Sequence, residues 1–204
     1  ITCKPNNMAL SIAQLPAPTS RLDLKAVFPF LAESPDEHIE KMSHARGLKD
    51  CDLEDKGCAY AQFCVNVLLP GAQKANKGGP EPARTHQPFA VEWRSGLDPL
   101  RAVHTTCVRG ECVLVLMRFV MAVLRGQPEE DSTKQVAEAC AAADRAGELL
   151  CGWQNVDRRA LGAAMPEFEG TTIDLLKALA NARLVKAMIT QAERSDQPAA
   201  VQAG

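Results

Sequence analysis

The sequence predicts a mainly α fold, a helical solenoid-like bundle with one or two short β-strands, and two features of its 204 residues predict it. Alanine is the commonest residue, while aromatics make up only 4% and include a single tyrosine. β-Sandwiches and barrels draw on aromatic and β-branched residues, whereas small residues suit closely packed helices. Helix start and stop signals also recur along the chain, bracketing apolar residues at helical spacing. With 46% apolar and 24% charged residues the chain can bury a sizeable core. Its formal charge of −2 gives no global field for nucleic acid or acidic lipid.

The element order follows from local signals. Residues 1–7 lack periodicity and are expected to be a leader before Met8, with the helical domain over 8–194 and a flexible tail over 195–204. Leu10, Ile12 and Leu15 alternate as in a short strand, which Pro16 and Pro18 end. Ser20 can cap a short helix that Pro29 kinks or closes. Ser34-Pro35-Asp36-Glu37 is the clearest start, with a capping Ser, Pro at the first helical position and Glu three residues after the cap. That helix should reach Ala45 or Arg46 and stop at Gly47. A third helix spans Leu53 to Leu69, and Gly71 to Pro88 reads as a long exposed loop.

Phe89, Val91 and Trp93 alternate with other residues as in a second strand, and Asp98-Pro99 marks a turn or a helix start. The segment from Cys107 to Arg125 is the expected core helix. From Glu111 onward its only charges are Glu111, Arg118 and Arg125, seven residues apart and so on one stripe. That stripe reads as a wetted seam; salt bridging inside the chain or contact with a partner are the alternatives. Asp131 or Ser132 caps the next helix, which ends at Gly152. A connector from Trp153 to Glu169 leads to a last helix, from Thr171-x-x-Asp174 to about Arg194, with apolar residues round most of its cylinder.

Catalytic grammar is sparse. His38, His44, His86 and His104 fall in unrelated contexts, and the eight cysteines form no CxxC pair. Their apolar settings suit reduced thiols and a cytoplasmic protein, since Cys112 to Leu124 is short of the ~20 residues that span a bilayer. Cys107 and His104 could form a thiol dyad, and Cys107 or Cys112 beside Arg109 could serve a small cysteine-dependent enzyme. A packed thiol and a surface imidazole are the commoner roles. Cys58 with Cys64, and Cys107 with Cys112, lack the closing pairs of a zinc site. Glu129-Glu130-Asp131 fits a helix start. Lys74, Lys77 and Arg84 fit a solvated loop rather than a nucleic-acid surface. Neither cofactor nor metal is expected.

In their order, several segments resemble the amino-terminal part of the BRO1 domain, the module of ALIX-type ESCRT adaptors. Leu10 to Leu15 resembles its first strand, Leu22-Asp23-Leu24-Lys25 the step into its first helix, and Ala45-Arg46 a Leu-Arg helix end. Val91-Glu92-Trp93 resembles a Phe-x-Trp strand element, with Leu97-Asp98 after it. Glu111-Cys-Val-Leu-Val115-Leu116-Met117-Arg118 is similar to the family's Glu-Lys-x-x-Val-Leu-Phe-Asn helix opening. Leu179-Ala180-Asn181-Ala182-Arg183 resembles its Leu-Ala-x-Ala-x helix.

The resemblance spans about Met8 to Ile189, little more than half of such a domain. It implies a non-enzymatic scaffold that docks an amphipathic helix of an ESCRT-III-type subunit in endosomal sorting, with endosome association only through partners. The family's aromatic anchor falls near Lys186 or Ala187 here. Leu184, Ala187 and Met188, by their place in the last helix, are the candidate partner-binding residues. Burial in the chain's own core is the commoner role for such residues. The third expectation is a helical subunit of a homo- or hetero-oligomer.

Overall fold

The computed structural model describes residues 15–19, 22–47, 59–71, 91–98, 100–105, 108–126, 132–151 and 165–195. They form a mainly helical fold with a small three-stranded antiparallel sheet. The strands are β1 (Ala17–Pro18), β2 (Val91–Arg94) and β3 (Ala102–Thr105), in that spatial order. The helices are α1 (Leu24–Val27), α2 (Asp36–Arg46), α3 (59–71), α4 (Val108–Arg125), α5 (Thr133–Cys151) and α6 (Gly170–Ser195). Within α3, Cys64–Leu68 is π-helical. Single 3-10 turns cover Pro29–Leu31 and Pro166–Phe168.

The sheet obeys the two-residue period of a half-buried surface. Trp93 lies opposite Val103 and both are buried, while Arg94, Ala102 and His104 face outward. β1 pairs Pro18 with Trp93, and Thr19 N–H donates to the Glu92 carbonyl at 2.9 Å. The first strand therefore sits at the prolines that were expected to end it. An edge strand tolerates proline, because the missing N–H faces away from the ladder. Leu15 is buried but not in a strand, and residues 10–14 lie outside the described residues. β3 was not anticipated: four residues with one large apolar side chain leave a faint signal.

Helix ends follow side-chain chemistry. α1 is capped by Asp23, not Ser20: its carboxylate accepts from the backbone N–H groups of Lys25 and Ala26 at 3.1 Å each. Pro29 closes it, as expected. α2 begins at Asp36, one residue later than expected: Pro35 and not Ser34 is its cap, with no side-chain capping bond, and it ends at Arg46 before Gly47. Asp36 and Glu37 supply the negative charge that its first turn favours. α3 is helical through residue 71, so it runs past the end expected at Leu69 and includes Pro70 and Gly71; the start expected at Leu53, the rest of the loop expected over Gly71 to Pro88 and most of the connector after Cys151 lie outside the described residues.

α4 is the axis of the molecule, buried from Val108 to Val123 apart from Arg109. α3, β3, α5 and α6 all pack on it. α5 buries Val136, Ala139, Ala143, Ala146 and Leu150 and packs along both α4 and α6, with Gly147 beside Ile173 of α6. The Pro166–Phe168 turn fixes where α6 starts. There the buried Glu167 carboxylate accepts from Ser95 Oγ at 2.9 Å and from Gly96 N–H at 2.7 Å, tying α6 to the β2–β3 hairpin turn.

Candidate functional site

Among the described residues a buried polar cluster stands where a wet seam of α4 is expected. Glu111 is fully buried and Arg118 is 5% exposed; only Arg125 faces solvent. Glu111 Oε1 accepts from Arg46 Nε at 2.6 Å, and its Oε2 from the Trp93 indole N–H at 2.7 Å. Tyr60 Oη lies 3.4 Å from Glu111 Oε1. The Arg46 guanidinium also sits 5.6 Å from the Trp93 ring centroid, and Arg118 donates to the Arg46 carbonyl at 3.0 Å. Salt bridging inside the chain is therefore the role of Glu111. It joins α2, α3, β2 and α4 at one carboxylate.

Burial alone would lower the Arg46 pKa, but Glu111 beside it outweighs that and holds it above its ordinary value. Burial pushes Tyr60 well above its ordinary 10.0, with Cys64 and Glu111 adding to the effect. Burial likewise raises the Cys64 thiol well above 9.0, reinforced by Cys112 and Glu111.

These two raised values set an alkaline limit. In the fold both groups hold their protons beyond pH 9.0 and 10.0, whereas an unfolded chain releases them at those values. The native state then binds more protons, so this stability is present in full below pH 9.0 and is lost as pH rises through the native values. Urea midpoints should be flat to about pH 8 and fall steeply above about pH 9. The fall should be shallower when Tyr60→Phe and Cys64→Ala are combined. An equal slope in that variant would assign the alkaline limit to other groups.

Of the two cysteines singled out from sequence, the described residues include Cys112 alone. Cys112 is fully buried and its thiol donates to the Cys64 carbonyl at 3.5 Å; Cys107 lies outside the described residues. His104 is exposed on β3. Among the described residues no group of three or more His, Cys, Asp or Glu could hold a metal ion, and no helix is long and apolar enough to cross a membrane.

The outer side of α6 is the feature the core does not absorb. Its inner side buries Ile173, Leu176, Ala180 and Ala187 against α5 and α4. Arg183 fixes its rotation by donating to the Val123 and Gly126 carbonyls at the end of α4. Lys177 pairs with Asp144 and Thr133 donates to Gln191 at 2.7 Å, fastening α6 to α5 along its length.

The opposite side carries Leu175 (51% exposed), Val185 (57%), Met188 (56%) and Ile189 (54%). Ala178, Ala182 and Ala192 are exposed between and beyond them. Leu175, Ala178, Ala182, Val185, Ile189 and Ala192 are spaced by alternating threes and fours, so they form one seam without a charge on it.

The three residues singled out from sequence do not share this seam. Ala187 is buried, Leu184 is half-buried against the core, and only Met188 is presented outward, on the flank. The three-four repeat from Leu175 to Ala192 was the signal that could have found the face. No protein-family model, no curated protein and no solved structure matches the chain.

Proposed function

We propose that the chain is a non-enzymatic protein-binding module that receives an amphipathic helix on the outer side of α6. The observation that carries this reading is the uncharged seam from Leu175 to Ala192, held rigidly by the contacts of Arg183, Lys177 and Thr133 on the other side of the same helix. Helix-in-groove recognition uses apolar anchors at i, i+3/i+4 and i+7, and this seam offers the matching half. The largest apolar patch on a monomer is often functional, and this one is of that size. An ESCRT-III tail helix, the partner implied by the BRO1 resemblance, is the first heterologous peptide to try.

Site-specific photocrosslinking tests the reading. A benzophenone side chain at Val185 is compared in cells with one at Glu148, which is exposed on α5. The expected result is adducts from position 185 whose crosslinked segment has an apolar helical stripe, and whose yield drops at least tenfold when Ile189→Asp is added. No adduct from position 185, or equal yields from 185 and 148, would overturn it.

A further inference from the structure

We infer that the helix received by α6 is the α6 of a second copy, running antiparallel across a two-fold axis. This rests on the reading of the outer face as a docking surface and names its occupant. Aligned antiparallel, the seam places Leu175 opposite Ala192, Ala178 opposite Ile189, and Ala182 opposite Val185, and the two-fold repeats each pair. Every layer then holds one large and one small side chain. Two such helices can run at a uniform separation of roughly 8 Å. A parallel, in-register pairing instead stacks Leu175, Val185 and Ile189 each on its own copy while Ala178, Ala182 and Ala192 face theirs. That arrangement crowds at 175, 185 and 189 and gaps at 178, 182 and 192. Antiparallel pairing also opposes the two helix dipoles.

The area fits a reversible dimer. The seam runs about 27 Å along the helix at 1.5 Å per residue. Leu175, Val185 and Ile189 of the seam and Met188 on its flank, each a little over half exposed, together with three alanines present about 500 Å² per copy, so two copies bury about 1,000 Å² if the flank is covered too. That just reaches the size of a specific interface and lies below that of permanent dimers. The association should be micromolar or weaker, with the monomer folded on its own core.

Sedimentation velocity of the full chain, from about 1 µM to about 300 µM, should show a monomer–dimer equilibrium. Val185→Asp should shift the midpoint upward at least tenfold, and so should Ala182→Lys, which adds charge at an exposed alanine without removing any packing. Both variants are checked for unchanged helical content by circular dichroism. Orientation is read from a benzophenone at Leu175 in the purified protein: adducts near Ala192 of the second copy are expected. Adducts at residue 175 of the second copy would overturn the antiparallel arrangement. A monomer at every concentration would overturn the second copy as occupant, and adducts to another protein from Val185 in cells would then leave the docking face standing.

Discussion

Replacing Glu111 by Ala should destabilise the fold by about 3–5 kcal/mol, the range for breaking a buried ion pair by removing one member. The carboxylate is fully buried, and Arg46, its ion-pair partner at 2.6 Å, is 2% exposed. Removing Glu111 takes away the carboxylate that accepts from Arg46 Nε in a place closed to water, and also leaves the Trp93 indole N–H without its acceptor. Urea unfolding should register this as a lower midpoint with an unchanged slope. The companion experiment separates the pair's net worth from the cost of breaking it. Arg46→Met combined with Glu111→Leu removes both charges, and should recover most of what Glu111→Ala loses. A double variant no more stable than Glu111→Ala would mean that the network contributes more than mutual neutralisation.

The same residues show what could be read from sequence and what could not. The start of α2 near Ser34-Pro35-Asp36, its stop at Gly47 and the apolar run of α4 are local signals, and the helices stand where those signals put them. The strand at Trp93 was legible for the same reason. The seven-residue spacing puts Glu111 and Arg118 on one stripe, which the structure buries where its charges suggest a wet seam. Its burial depends on Arg46, Tyr60 and Trp93, which approach from 65, 51 and 18 residues away, and no window on α4 contains them.

The last helix posed the opposite problem. Its apolar residues were seen to surround the cylinder, yet which side faces the core is decided by α5 and by Arg183 reaching the end of α4. Sequence position alone chose Leu184 and Ala187, which turn partly or wholly inward.

Trp93→Ala should cost about 3–5 kcal/mol, the range for deleting a large buried aromatic side chain. Trp93 is fully buried at the centre of the sheet, opposite Val103 on one neighbour and Pro18 on the other, so the loss opens a cavity where three strands meet. Trp93→Phe keeps much of the ring and removes the N–H that bonds Glu111 Oε2 at 2.7 Å. It should cost less, about 1–3 kcal/mol, mostly from a buried carboxylate oxygen left short of a donor. The stronger test is coupling. If Trp93 and Glu111 act through one network, Trp93→Phe should cost less in the Glu111→Ala background than in the natural chain, because the bond it breaks is already gone. The two losses should fall short of additivity by about 1 kcal/mol or more, beyond the few tenths expected of independent sites. Full additivity would reduce Trp93 to a packing residue and would confine the network to Arg46 and Glu111.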